Sequence, residues 1–140
     1  MRLLAITVEL HAFQEELNWE EPLKLGIEIE GRPFIRMWQQ RGDRVGFDDQ
    51  PLQAEDFGDA GRVEVHDITD RLYPGIRNME VVEVRMIEAG TEPVGLALLR
   101  PDSRAFCVWI DEDRLNWGDE TALGSESDAG AARLGSLIPC

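Results

Sequence analysis

Hydrophobic and polar residues alternate with a period of two along most of this 140-residue chain, the pattern of strands with one buried face. In "RLLAITVEL", Leu4, Ile6, Val8 and Leu10 fall on one side. "LKLGIEIE" sets Leu23, Leu25, Ile27 and Ile29 against Lys24, Glu28 and Glu30, and "EGRP" turns the chain back into "FIRMW". Residues 23–38 therefore read as a β-hairpin.

The alternation lapses in "QQRGDRVGFDDQPLQAEDFGDAG". More than about 12–15 residues is long for a structureless loop, so the segment either holds a short element near Phe47 or Phe57 or is mobile. It resumes in "RVEVHDI", with Val63 and Val65 on one side and Glu64 and His66 on the other. "EVVEVRMIE" points Val82, Val84 and Met86 inward. "PVGLALLR" and "RAFCVWID" flank a "PDS" connector and form a second hairpin, in which Val94, Leu96 and Leu98 meet Phe106, Val108 and Ile110. Helix signals are few. "DITDRLYPGIRN" reads as one turn capped by Thr69 or Asp70 and ended by Pro74-Gly75. "HAFQEELNWEEP" spaces Phe13 and Leu17 for a short helix stopped by Pro22.

These elements predict a mainly β domain over residues 1–118. About seven strands form a single sandwich or a rolled, barrel-like sheet, with one or two short helical turns; an α+β arrangement is the alternative. From residue 119 the composition shifts to Gly, Ala and Ser, and 119–140 reads as a flexible tail.

Charge narrows the function classes. The chain carries 28 acidic and 14 basic residues, a formal charge of −14, with Lys24 the single lysine. Such a chain repels nucleic-acid phosphates and anionic membrane surfaces and attracts cationic partners; the alternative is that the acidity serves only solubility. It contains no run approaching the roughly 20 apolar residues of a membrane-spanning helix. Cys107 on a strand and Cys140 at the last position form no disulfide framework. A cytoplasmic location is the resulting expectation.

Motifs for chemistry are missing where they would be needed. A calcium loop starting at Asp111 would have Asp113 as the ligand at position 3, but Leu115 and Asn116 stand where an oxygen ligand and a glycine are required. Two histidines, His11 and His66, give no zinc spacing, and His66 beside Glu64 reads as a surface imidazole near a carboxylate. There is no nucleophile elbow and no phosphate-binding glycine loop. Cys107 follows Ala105 and Phe106 on a strand and reads as a packing group. No metal or cofactor is expected, and the sequence points away from an enzyme.

The stretch "RAFCVWIDEDRLNWGDE" remains. If Phe106, Val108 and Ile110 face the core, Trp109 and Asp111 face the other way. Trp109, Asp111, Asp113, Trp117, Asp119 and Glu120 would then form an aromatic patch with an acidic edge, a composition suited to binding a basic protein. The competing expectation is that another segment covers Trp109 and makes it core.

Residues 67–120 also resemble a C-terminal pattern of small acidic bacterial proteins, many of them uncharacterised or immunity-type neighbours of toxins. The pattern is a "D-x-[ST]-D-x-L" turn, a strand, a "PVGL" hairpin and a "GDE" ending. The resemblance implies an immunity-type protein that covers a toxin's active site, and it implies no catalytic residue. The expected function is thus an acidic protein-binding module for a basic partner. The alternatives are an enzyme or small-ligand binder with a carboxylate-lined pocket inside a rolled sheet, and a structural subunit that homodimerises through an edge strand.

Overall fold

A computed structural model describes residues 1–19, 23–42, 44–72, 75–111, 114–119 and 132–137. Its strands are β1 (Leu3–Phe13), β2 (Glu16–Leu17), β3 (Lys24–Ile29), β4 (Ile35–Arg41), β5 (Arg44–Asp48), β6 (Glu55–Asp56), β7 (Arg62–Asp67), β8 (Glu83–Ala89), β9 (Glu92–Leu99), β10 (Ala105–Asp111), β11 (Arg114–Gly118) and β12 (Ala132–Leu137). One helical turn, α1 (Thr69–Leu72), and a 3-10 turn at Gly58–Ala60 complete them. The described residues are mainly β, 61% strand and 6% helix, in two antiparallel sheets that do not close into a barrel.

The first sheet runs β5-β4-β3-β1-β7-β6, with β2 folded onto the end of β1; the second runs β11-β10-β9-β8-β12. Their facing sides make one core. Ile6, Val8, Leu10, Leu25, Ile27, Ile29 and Met37 meet Val84, Leu96, Leu98, Phe106 and Val108 across the interface. The period-two reading placed most of these residues correctly, because a strand half-buried in a sandwich must alternate.

Local irregularities shift that phase at several places. A register break between Leu3 and Ala5 buries Leu3 and exposes Leu4, the usual effect of a bulge. Another break between Ile87 and Glu88 moves Val94 away from Leu96 and Leu98 to the opposite face of the second sheet. Val81 is buried and Val82 exposed, since β8 begins only at Glu83. The hairpin register itself is as expected, with Leu98 opposite Phe106 and Leu96 opposite Val108.

Over residues 11–19 of "HAFQEELNWEEP" the expected helix is a strand and a tight turn instead, and Glu20, Glu21 and Pro22 lie outside the described residues. β1 continues to Phe13, Gln14 takes a positive φ of 57°, and Glu16 and Leu17 pair back onto Phe13 and Ala12. Pairing to an existing strand outweighs the weak i, i+4 signal. The long segment 39–61 contains the end of β4, then β5, β6 and the 3-10 turn. Because β5 and β6 lie at opposite edges of their sheet, residues 49–54 cross its outer face. The carboxylate of Glu9, itself buried, accepts the Gln53 N–H at 3.1 Å and fastens that crossing.

α1 is a single turn, and Asp67 accepts the N–H of Thr69 at 3.0 Å. Thr69 is fully buried; its Oγ1 accepts the Ile6 N–H at 2.8 Å and donates to Asp67 at 2.6 Å. Arg77 then joins Asp67 and Asp70, each at 3.1 Å. A polar knot thus ties the exit of β7 to β1. Pro74 lies outside the described residues.

Within the span expected to be a flexible tail, Ala132–Leu137 form β12, paired antiparallel to β8. Composition gave no hint of this, because Gly-, Ala- and Ser-rich segments can still add backbone hydrogen bonds to an open sheet edge. Residues 120–131 and 138–140, including Cys140, lie outside the described residues. Among the described residues, no helix is long and apolar enough to cross a membrane.

Candidate functional site

The residues read as a partner-binding patch divide in the structure. Trp109 does sit on the face of β10 opposite Phe106 and Val108, but that face is also covered. The indole is 1% exposed and packs among Ile87, Val94, Ala97, Ala105 and Cys107 in a second apolar cluster. Of the two expectations for Trp109, the structure bears out the covered one and removes this residue from the exposed patch: alternation assigns a face and says nothing about what covers it. Its buried Nε1–H has no hydrogen-bond partner among the described residues. The backbone of Asp111 ends β10 opposite Arg114. The Asp111 side chain, Asp113 and Glu120 lie outside the described residues.

Trp117 is 42% exposed. It stands on the edge strand β11 opposite Val108, and so on the core-side face of its sheet. Asp119 borders a cleft of about 140 Å³ with Ile76, Met79, Phe106, Arg100 and Arg104. Through Ile76, Met79 and Arg100 this cleft joins a groove of about 390 Å³ that also touches Glu80 and Asp102. Both guanidinium groups approach Asp102, Arg100 at 3.8 Å and Arg104 at 4.0 Å. The edge of this site is therefore mixed in charge.

A second constellation lies at the other end of β1. Arg62, Glu64 and His66 stand opposite Ala12, Leu10 and Val8, and directly opposed residues of an antiparallel pair share a face. This polar row is thus on the core side of the first sheet, while the exposed Val65 lies on the outside. The simple reading of a greasy inner and a polar outer side for β7 is reversed here. The core cluster includes none of the three row residues.

Glu64 links the row, accepting from Arg62 Nε at 2.5 Å and meeting His66 Nε2 at 3.0 Å. The His66 hydrogen bond, then that of Arg62, hold the Glu64 carboxyl below its ordinary pKa. Trp19 covers the row, its ring 5.7 Å from that of His66 and inclined at 57°. Arg71 from α1 stacks on the same indole, 4.0 Å from its centre.

A carboxylate beside a histidine is the arrangement that orients a general base. Among the described residues, however, no hydroxyl or thiol is hydrogen-bonded to His66, and no group of three metal-binding side chains occurs. The row can hold the sheet end and the Trp19 segment together through charge-assisted bonds and stacking.

Beside it, His11, Phe13, Glu16, Leu17, Asn18 and Trp19 line a groove of about 490 Å³. Phe13 is 51% and Trp19 38% exposed. Sequence reading missed this site because it took residues 11–22 for a helix and because Trp19, His66 and Arg71 are remote in the chain. The available signal was an aromatic pair flanked by four glutamates in "FQEELNWEE".

Most described ion pairs consume arginine. Arg36 pairs with Asp48, Arg44 with Glu92, Arg62 with Glu64, Arg77 with Asp67 and Asp70, and Arg85 with Glu83. By fold and site, the described residues form an antiparallel β-sandwich with a shared apolar core and open surface grooves near the two ends of β1. No family model, curated protein or solved structure matches the chain.

Proposed function

We propose that this protein is an acidic binding module that docks on a cationic protein, with masking of a basic toxin as the narrower form of that reading. The supporting observation is the distribution of charge. The chain's formal charge is −14, and the arginines named above already face carboxylates of the same chain. The surplus acid is left to solvent and to whatever meets the surface. Such a field raises encounter rates with a cation and disfavours anionic competitors.

Core side chains from both sheets pack into one apolar cluster, whereas the grooves near the two ends of β1 open at the surface, which favours surface recognition. Trp19 and Trp117 are exposed tryptophans of the kind that carry binding energy in interfaces.

The test is affinity capture on the immobilised protein from host extract, followed by association kinetics with the purified captured protein. The expected partner is basic, and its on-rate falls steeply between low and physiological salt. An acidic partner, or an on-rate indifferent to salt, overturns the reading.

A further inference from the structure

We propose that the groove between Phe13 and Trp19 is an arginine-binding notch, in which a guanidinium of the cationic partner stacks on aromatic rings beside the Glu16 carboxylate. This rests on the reading of the protein as a module for basic partners and names the place and side chain involved.

The first support is shape and lining. Phe13, Leu17 and Trp19 provide an apolar and aromatic wall, and Glu16 provides the charge, around about 490 Å³ of open space. That is ample for one flat side chain. Both rings remain substantially exposed.

The second support is that Trp19 already holds a guanidinium. Arg71 lies 4.0 Å from the ring centre, a cation–π distance. Neither Arg71 nor His66 borders the groove, so the groove meets the part of the indole that those two leave open. Guanidinium groups stack on aromatic faces better than ammonium groups do and are less strongly hydrated, which selects arginine over lysine.

The third support is charge complementarity. From Phe13 to Leu23 the sequence has four glutamates and no basic residue. Glu16 is the carboxylate of the groove's lining, and the neighbouring His11 is tied through Nε2 to the Ala60 carbonyl oxygen at 3.2 Å. The cleft at the opposite end of β1 is mixed in charge, with Arg100, Arg104 and Asp119 on its border, and suits a cation less well.

The experiment uses the full chain and a capped tetra-arginine peptide, with capped tetra-lysine and tetra-glutamate as comparators, at low ionic strength. Binding is followed by amide and indole chemical shifts and by calorimetry. The expected result is that tetra-arginine binds more tightly than tetra-lysine, that tetra-glutamate does not bind, and that shifts centre on Phe13, Glu16 and the Trp19 indole. Phe13→Ala and Glu16→Gln, both at exposed positions, each weaken binding by about three- to tenfold. Trp117→Ala and Asp119→Asn leave it unchanged.

Tetra-arginine binding that is insensitive to Phe13→Ala and Glu16→Gln, or that depends on Trp117 instead, overturns the notch and spares the broader proposal. Equal affinity for tetra-lysine overturns the stacking selection. Absence of binding by either cationic peptide overturns both the notch and the acidic-module reading.

Discussion

Trp109 lies directly opposite Gly95 across the β9–β10 pair, and the two backbones approach so closely that a side chain at position 95 has no room. A Cβ there would stand 2.1 Å from the Val108 carbonyl oxygen and 2.6 Å from Trp109 Cα. The contacted atoms are main chain, so relief requires moving a central strand.

Gly95→Ala is therefore expected to cost more than an ordinary overpacking change, about 3 kcal/mol or above. Gly46 provides the contrast. Its Cβ would meet the Trp38 ring at 2.7 Å, but that side chain is half-buried near an edge strand and can rotate aside. Gly46→Ala is expected to cost about 1 kcal/mol. Chemical denaturation of both variants checks the order; equal midpoints would contradict the close approach at Gly95.

Burial separates the tryptophans that the sequence grouped together. Trp109→Ala should lose about 3–5 kcal/mol of stability, whereas Trp117→Ala on the exposed edge should stay within about 0.5–1 kcal/mol. Acrylamide quenching gives an independent reading. Trp109→Phe should remove the least accessible emission, and Trp117→Phe should remove an accessible part.

Thr69 holds α1 to β1 through a hydroxyl that both accepts and donates. Thr69→Val retains the volume but strands the buried Ile6 N–H. The expected destabilisation is about 1–3 kcal/mol, with faster amide exchange at Ile6 and along Asp67–Leu72. Thr69→Ser, which retains the hydroxyl, should recover most of the exchange protection.

Acid should expose the ion pairs. The Asp48 carboxyl is held below its ordinary value of 3.8, chiefly by the Arg36 hydrogen bond. In Asp67, burial acts upward, but hydrogen bonds from Thr69 and Arg77 outweigh it and the net shift is downward. A carboxyl whose folded pKa is depressed adds stability above its unfolded value and loses that contribution as pH falls through the folded one. Melting temperature should therefore lose this contribution once pH drops below about 3.8, and the loss should be smaller in Asp48→Asn. Added salt should also reduce it, because these pairs are partly solvated. An Asp48→Asn profile parallel to that of the unmodified protein would remove the Arg36–Asp48 pair from the account.

Much of the architecture could be read from the chain because it is local. Alternation in "LKLGIEIE" and "PVGLALLR" is enforced by the pleat, and the β9–β10 register follows from matching two apolar rows. The candidate site was less legible. Phe13 and Leu17 looked like a helix face until pairing with β1 made β2 a strand. The polar residues of β7 looked outward until their partners Val8 and Leu10 fixed the side they occupy. The acidic surplus was plain from composition, but its availability to a partner depends on which carboxylates the arginines reach.

The sequence by itself determined a β-rich chain, the facing rows of its central hairpins and a strongly negative charge, because these depend on residue type and spacing of two. Only the tertiary structure decided that Trp109 is core, that Ala132–Leu137 complete a sheet, and that Trp19 meets His66 and Arg71. Those outcomes depend on which segments cover a face, lie along an edge or meet across long loops, and no short-range pattern encodes such encounters.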